Sequence, residues 1–169
     1  AAFRPDRSQR RCLTANADVE LTECEPGLTA ERHALYARYL HARHPGGGMD
    51  EASHEDFSQF LAAPWSPTAF LEFRVAGQLI ALAVTDACST GLSAVYTCFE
   101  PALPRRSLGT YAILQQVALA RARGLPHLYL GYWIEAHPKM GYKARFNGLE
   151  VLGRNGWMPI DTRLAGTRH

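Results

Sequence analysis

The sequence predicts an α/β fold of the α+β type, in which a mixed, mostly antiparallel sheet is flanked by helices. Three apolar segments separated by short turns indicate an antiparallel meander of two hairpins in series. Helical periodicity precedes this meander, and a further helix and an apolar strand follow it. The meander strands are predicted at residues 69–75, 78–86 and 92–100, the later helix at 108–123 and the later strand at 127–133.

The segment before the meander predicts one strand and two helices. Residues 19–23 alternate in the manner of a short strand. From Thr29 the apolar residues recur at the spacing of one helix face, with Thr29 as the N-cap, and Pro45 ends that helix. After a glycine-rich break, Ser53 begins a second, short helix.

The segment after the meander predicts a parallel strand and two closing elements. Gly124 and Pro126 end the helix, and the strand at 127–133 is apolar enough to be buried on both faces. Because it follows a crossover helix, this strand lies parallel to the last meander strand. A helix is predicted at 138–146 and a last strand at 149–153.

Length and composition indicate a globular domain. The 169 residues are 47% hydrophobic and 20% charged, which is enough to bury a core. No apolar run approaches the roughly 20 residues that a membrane span needs. The basic N-terminal residues have no apolar segment behind them, so they do not form a secretory signal. We therefore expect a cytoplasmic protein.

Cysteine spacing argues against a metal site, and the net charge alone does not indicate a binding partner. The four cysteines lie apart and form no Cys-x-x-Cys pair, so we expect no metal site. The net charge of +2 is too small to indicate a nucleic-acid binder by itself. The basic residues are nevertheless unevenly placed. They form two candidate patches, one of Arg4, Arg7, Arg10 and Arg11, the other of Lys139, Lys143 and Arg145.

The loop before the helix at 108–123 is a candidate phosphate site. If that helix begins near Leu108, its first backbone N–H groups are free and its dipole is positive there. Arg105 and Arg106 can add charge-assisted hydrogen bonds. The alternative is that Ser107 is a simple N-cap and both arginines are solvated. The predicted phosphate-binding residues of this loop are Arg105, Arg106, Ser107, Leu108, Gly109 and Thr110.

The order of elements, with a phosphate-like loop between meander and helix, resembles the GNAT acyltransferase fold. This resemblance implies an acyl donor held at the splayed centre of the sheet and an amine acceptor that approaches from the opposite side. In those acetyltransferases the loop has small residues at two positions and wraps the pyrophosphate of coenzyme A. Gly109 fits the first position, but Tyr111 occupies the second and would crowd a pyrophosphate. A phosphate on a different donor is therefore favoured.

A second cluster interleaves aromatic and basic residues. The segment LYLGYWIEAHPKMGYKARF is suited to an unpaired nucleic-acid end, on which rings stack and cations neutralise phosphates. Trp133, Lys139 and Lys143 are its predicted tRNA-binding residues. The alternative is that the rings belong to the sheet core and the cations to a solvated helix face.

Several segments together resemble the bacterial aspartate/glutamate leucyltransferases, which are related to the eukaryotic arginyl-tRNA-protein transferases. The segments are FRPDRSQRR, HARHPGGGMD, FLEFR, AVTD, LSAVYTCFEP, RRSLGTYAIL, LYLGYWI and PKMGYKARFNGLEVL. The resemblance implies transfer of leucine from leucyl-tRNA to an N-terminal Asp or Glu, which marks a protein for degradation. It also implies that the phosphates belong to a tRNA acceptor end. Aminoacyl-tRNA is then the co-substrate, and no cofactor is expected.

The resemblance also implies a division of the chain. Members of the family carry a region with a Cys-x-x-Cys before the segment that reads FRPDRSQRR here, and this sequence starts almost at that segment. We therefore expect residues 1–27 to hold a basic segment and the first strand, as a remnant of such a region. Residues 28–157 are expected to form a GNAT-like aminoacyltransferase domain, and 158–169 a C-terminal tail.

Transfer to an amine requires a polar group that relays a proton and a site for the acceptor. The candidates for the relay are Asp86, which could instead close a turn, and Tyr96, which could instead be core. An acidic acceptor also needs a cation near the amine, for which Arg74, Lys143 and Arg145 are open alternatives. The predicted acceptor residues are Arg74, Tyr132, Tyr142 and Arg145. An acetyl-CoA-dependent N-acetyltransferase and a non-catalytic tRNA-binding module are the competing functions.

Overall fold

The computed structural model describes residues 3–43, 67–134 and 140–160. Its helices are α1 (Arg7–Ala15), α2 (Ala30–Arg43) and α3 (Leu108–Ala122), with 3₁₀ helices at Pro104–Arg106 and Gly141–Arg145. Its strands are β1 (Glu20–Cys24), β2 (Thr68–Val75), β3 (Gln78–Cys88), β4 (Gly91–Phe99), β5 (His127–Tyr129), β6 (Glu150–Gly153) and β7 (Gly156–Pro159). Within these residues no helix is long and apolar enough to cross a membrane.

The main sheet has the order β1-β2-β3-β4-β5. Neighbours from β1 to β4 are antiparallel, and β5 lies parallel to β4 across α3. The predicted mixed, mostly antiparallel sheet flanked by helices is therefore confirmed. The turn at Ala76 and Gly77 has φ values of 49° and 81°, which is the geometry that joins adjacent strands in a two-residue hairpin.

Side-chain alternation along the strands divides the core between the two faces of the sheet. On one face, Phe70 of β2 and Leu82 of β3 pack against Leu35 of α2. On the other face, Phe73 of β2 and Leu108 of α3 belong to a second buried cluster. Because successive residues of a strand point to opposite faces, β2 and β3 contribute to both layers. The sheet is therefore covered by α2 on one side and by α3 on the other.

A buried ion pair joins α2 to the sheet. Thr29 caps α2 as expected, with its hydroxyl accepting from the N–H of Arg32 at 3.2 Å. The Arg32 Nε donates to Glu72 Oε1 at 2.7 Å, and both side chains are at most 10% exposed. Arg74 donates to the second Glu72 oxygen and also to Glu31. Burial alone would raise the pKa of Glu72, but its hydrogen bonds with these arginines outweigh burial and lower it.

Several elements differ from the prediction. The basic N-terminal segment forms α1, which begins with a capping box between Asp6 and Gln9 that the composition-based interpretation missed. The strand predicted at 127–133 ends at Tyr129 and is not buried on both faces, so that prediction was wrong.

The C-terminal elements also differ. The helix predicted at 138–146 is a 3₁₀ helix where the structure describes it, and the strand at 149–153 pairs with β7 in a separate hairpin. The helix predicted at Ser53 lies outside the described residues.

Replacement of Glu72 tests the role of the buried ion pair. We expect Glu72→Gln to lower the free energy of unfolding by about 3 kcal/mol at pH 7, because Arg32 is left buried without its counter-charge. Arg38→Ala is the matched control; it breaks the exposed pair with Glu100 and should cost at most about 1 kcal/mol. Urea unfolding measures both.

The lowered pKa of Glu72 also predicts how the stability difference between wild type and Glu72→Gln depends on pH. A carboxyl group whose pKa is lower in the folded state stabilises the fold above its unfolded pKa, and this contribution is lost as the pH falls. The difference in the free energy of unfolding between wild type and Glu72→Gln should therefore become smaller below about pH 4.5. A difference that stays constant down to pH 3 would contradict the assignment.

Candidate functional site

The sheet opens between β4 and β5. The two strands pair only from Gly91 to Ser93, opposite His127 to Tyr129. At Gly91 the strands approach so closely that a Cβ atom would lie 2.4 Å from the carbonyl oxygen of His127. Beyond Tyr129 the chain turns away at Gly131, which has a φ of 73°. Within the described ranges, residues 94–99 of β4 therefore have no strand partner on this side.

A β-bulge distorts β4 where the gap opens. Val84 of β3 pairs with Tyr96, but Thr85 pairs with Ala94, so Val95 is an extra residue. A bulge leaves that residue out of the ladder and bends the strand. Val95 is 45% exposed, although β4 lies between β3 and β5 in the order of the sheet. The gap thus places irregular backbone at an open edge between β4 and β5.

The predicted phosphate loop lies at the end of β4. Ser107 adopts a left-handed conformation (φ 50°, ψ 46°) immediately before α3, and its side chain makes no capping hydrogen bond. Ser107 is thus the N-cap of α3 by position, but its hydroxyl does not make the hydrogen bond of a serine cap, and phosphate binding here stays a prediction. The first N–H groups of α3 lack partners within the helix, as they do in any α-helix. Gly109 keeps the loop close to β4, because a Cβ atom there would lie 3.2 Å from the Phe99 ring.

The two arginines of the loop have different surroundings. Arg106 makes a bidentate ion pair with Asp18, at 2.7 and 2.8 Å. This hydrogen bond is the main cause that lowers the pKa of Asp18. Arg105 is exposed and has no ion pair or hydrogen bond with any residue that the structure describes. Arg106 thus ties the loop to the α1–β1 connection, whereas Arg105 is available to a ligand.

A buried asparagine holds the loop from behind. Asn16 is fully buried, and its amide donates to the carbonyl oxygens of Arg106 at 2.8 Å and of Cys12 at 2.9 Å. Neither Asn16 nor Asp18 was predicted from the sequence. Asp18 lies 88 residues from Arg106, so no local pattern could indicate the pair. The position of the phosphate loop therefore depends on α1, a helix distant from it in sequence.

The two predicted relay residues lie on the same face of the sheet. Tyr96 pairs with Val84, and Asp86 follows two residues after Val84 on β3. Tyr96 packs edge-on against Tyr36 and Tyr39, at ring-centroid distances of 6.0 and 6.2 Å. Burial, followed by these neighbouring tyrosines, raises its pKa strongly.

Asp86 accepts a 2.5 Å hydrogen bond from the Thr68 hydroxyl, which ties the end of β3 to the start of β2. Asp86 thus has a structural contact of its own on β2, whereas Tyr96 is the relay candidate next to the gap. Their catalytic roles stay predictions.

Of the predicted acceptor residues, Arg74 has carboxylate partners of its own. Arg74 is held by Glu31 and Glu72, so an acceptor carboxylate would have to displace both. Tyr132 is 89% exposed on the chain that leaves β5.

Tyr142 lies near the end of α2. Burial and Tyr39 raise the pKa of its hydroxyl, and the positive charge of Arg43 opposes this rise. Arg145 is exposed in the 3₁₀ helix, and its carbonyl oxygen accepts from Gln9. Arg74 is thus held in the network at Glu31 and Glu72, apart from the 3₁₀ helix that carries Tyr142 and Arg145.

The predicted aromatic and basic cluster is only partly described. Lys143 donates to the carbonyl oxygen of Tyr132 at 2.6 Å, and burial lowers its pKa. The indole N–H of Trp133 is buried and has no acceptor among the described residues. Lys139 lies outside them. In the described ranges, no three His, Cys, Asp or Glu side chains converge as a metal site would require.

Comparison with known proteins decides the family. The family model described as "Arginine-tRNA-protein transferase, C terminus" matches residues 31–153. Aspartate/glutamate leucyltransferases are similar over nearly the whole chain. That of Stenotrophomonas maltophilia is 50% identical over 98% of this chain and 68% of its own length. That of Xanthomonas campestris pv. campestris is 52% identical over 99% and 69%. The chain belongs to the aspartate/glutamate leucyltransferase family.

Membership in the leucyltransferase family places the chain among the aminoacyltransferases, so it is an enzyme. The range matched by the family model runs from α2 to the end of β6. It therefore includes the gap between β4 and β5 and the loop before α3. By contrast, α1 and Asp18 precede that range, although they hold Arg106 in place.

Replacement of Asn16 tests whether α1 positions the loop. We expect Asn16→Ala to lower the free energy of unfolding by about 1–3 kcal/mol, because the carbonyl oxygens of Cys12 and Arg106 lose the donor that the buried Asn16 amide supplies. Amide exchange at residues 106–110 should also become faster. Asn147→Ala removes an exposed amide that bonds Arg4 at 3.3 Å and serves as the control. Unchanged exchange at the loop in the Asn16 variant would contradict this role.

Proposed function

We propose that this chain transfers leucine from leucyl-tRNA to the N-terminal amine of proteins that begin with Asp or Glu, and so marks them for degradation. The proposal is carried by the open edge of β4 with an anion-attracting helix terminus at its end. Sequence similarity also supports the proposal, because the chain belongs to the same family as proteins named aspartate/glutamate leucyltransferase. Aminoacyl-tRNA is the co-substrate in this proposal, no further cofactor takes part, and the enzyme acts in the cytoplasm.

The donor would occupy the gap between β4 and β5. A phosphate of the tRNA acceptor end would bind at the first N–H groups of α3, with Arg105 as an added cation. The aminoacyl ester would then lie along residues 94–99 of β4. The indole N–H of Trp133, which has no acceptor among the described residues, supplies a donor for a ribose or ester oxygen. Each of these groups lies on an element that borders the gap.

The reaction requires little base catalysis. The neutral α-amine of the acceptor attacks the ester carbonyl carbon, a C–N bond forms and the ester C–O bond breaks. The amine loses one proton, and the leaving ribose hydroxyl gains one. Because an α-amine has a pKa of about 7.7–8.0, a sizeable neutral fraction exists near neutral pH. Orientation of the amine against the ester and donors to the oxyanion therefore supply most of the catalysis.

Tyr96 is suited to the proton relay in its protonated form. Its raised pKa keeps the hydroxyl protonated at physiological pH. In the relay, the Tyr96 hydroxyl donates its proton to the leaving ribose oxygen and accepts the proton that the amine loses. It lies next to the bulge at Val95, where β4 leaves the regular ladder.

Leucyl transfer to peptides tests the function. The chain is incubated with radiolabelled leucyl-tRNA and peptides that begin with Asp, Glu or Ala, and peptide-bound leucine is measured. Transfer to Asp and Glu but not to Ala is expected. Acetyl-CoA is tested in the same format, and acetylation of these peptides without leucyl transfer would favour an acetyltransferase. Binding of leucyl-tRNA without any transfer would favour a non-catalytic module.

Arg105 should contribute to tRNA binding through a phosphate. We expect Arg105→Ala to weaken leucyl-tRNA binding and to reduce the slope of log K against log[salt] by about 1, since one fewer counterion is released. The control is Arg121→Ala, at the other end of α3 and about 20 Å away along its axis. An unchanged salt slope in the Arg105 variant would count against the phosphate site.

Tyr96 should contribute to the chemical step. We expect Tyr96→Phe to lower kcat by about 100-fold or more with little change in leucyl-tRNA affinity. In the wild type, activity should rise with pH through the pKa of the acceptor amine and show no decline up to pH 9, since Tyr96 stays protonated. Tyr36→Phe removes a neighbouring core hydroxyl and should affect stability only. Equal activities of the two variants would exclude the relay.

A further inference from the structure

The two faces of α1 have different surroundings. The residues that are buried or packed against the core recur at the spacing of one helix face, which therefore points into the fold. These residues are Gln9, Cys12, Leu13 and Asn16. The opposite face carries three arginines, all of them exposed, at Arg7, Arg10 and Arg11. We refer to these three residues as the α1 arginine face.

The α1 arginine face has no counter-charge in the described part of the chain. Residues 3–16 contain four arginines and one carboxylate, so their net charge of +3 exceeds the +2 of the whole sequence. The carboxylate is Asp6, which is engaged in the capping box of the helix. Of the three guanidinium groups, only that of Arg10 has a described partner, the carbonyl oxygen of Pro5 at 2.7 Å.

The stability of α1 does not explain this arrangement. The N-terminus of a helix carries a partial positive charge and favours acidic residues, yet the first turn of α1 contains Arg7 and no acidic residue. Arg7 and Arg11 are four residues apart, so the two like charges are neighbours on the helix surface and repel each other. Cations in such positions are suited to an anion that a partner molecule supplies.

The helix that carries these cations packs against the phosphate loop. The Cys12 thiol donates to the carbonyl oxygens of Arg106 and Ser107, at 3.6 and 3.7 Å. Arg11 directly precedes Cys12, and Arg7 lies about 6 Å further along the helix axis. Exposed cations therefore lie both on the loop and on the helix behind it.

We propose that Arg7 and Arg11 bind backbone phosphates of the base-paired acceptor stem of leucyl-tRNA. This proposal rests on the proposed function and extends its donor site beyond the unpaired end. Double-stranded RNA is recognised mainly through its shape, its phosphates and its 2′-hydroxyl groups, and guanidinium groups bind phosphates well. The helix α1 contains no aromatic residue on which an unpaired base could stack, so its exposed face fits a duplex backbone.

Salt-dependent binding tests the proposal. A non-hydrolysable leucyl-tRNA, in which an amide replaces the ester, is titrated at several salt concentrations into wild type, Arg7→Gln, Arg11→Gln and the double variant. We expect each single change to weaken binding by about 10-fold at low salt. Each should reduce the slope of log K against log[salt] by about 1, and the double change by about 2. The kcat at saturating leucyl-tRNA should stay unchanged.

Two shorter probes locate the contact on the RNA. One is a leucylated minihelix that contains the acceptor stem and the unpaired end, and the other is a leucylated oligonucleotide of the unpaired end alone. The double variant should lose affinity for the minihelix but keep its affinity for the oligonucleotide, which reaches only the phosphate loop. An equal loss for both probes would overturn the proposal, since α1 would then only support the loop.

The control is an arginine on the other side of the sheet. Arg38 belongs to α2, which packs on the face opposite to α1, and Arg38→Gln removes the same charge there. This variant should keep the salt slope of the wild type. The thermal midpoints of Arg7→Gln and Arg11→Gln should not fall, because each change removes a repulsion within α1.

The outcomes separate this proposal from the function on which it rests. If the wild type neither binds leucyl-tRNA nor transfers leucine, the proposed function fails and the proposal fails with it. If the wild type does both and the double variant keeps its affinity and salt slope, the proposal alone is overturned. Normal leucyl-tRNA binding by the double variant with a loss of transfer to acidic proteins would also overturn it, since the α1 arginine face would then bind the acceptor.

Discussion

The short parallel pairing between β4 and β5 is the constraint on which the site depends. The strands are held together at Gly91, where only a glycine permits the contact with His127, and they separate once the chain passes Tyr129. A longer pairing would close the sheet and leave no space for a donor. The bulge at Val95 increases this opening from the side of β4. The gap is thus a property of backbone pairing.

Ion pairs between distant segments hold the elements in position. Arg32 and Arg106 have carboxylate partners that attach α2 to the sheet and the phosphate loop to the α1–β1 connection. Arg105 lies next to Arg106 but is exposed and makes no ion pair with a described residue, so it is the arginine of the loop that we propose for donor binding.

Local sequence patterns predicted the meander, α3 and the parallel strand, because neighbouring residues determine hairpin turns and helix ends. The helix α1 was missed although its capping box at Asp6 and Gln9 is equally local, since the basic composition was taken as the main feature. The site was predicted less well. The loop precedes a helix that begins at Leu108, as expected, but its phosphate binding stays a prediction. The Asp18–Arg106 pair and the contact of Arg43 with Phe99 join segments far apart in the chain. Only the fold brings them together.

Hydrogen exchange with a non-hydrolysable leucyl-tRNA, in which an amide replaces the ester, tests the central claim most directly. Donor binding in the gap should protect the amides of residues 94–99 that do not bond to β3, together with those of residues 108–110 at the start of α3. Protection at both places would establish that the donor lies across the open edge of β4 with its phosphate at the helix. Tight binding of the analogue with no protection of β4 would contradict this account.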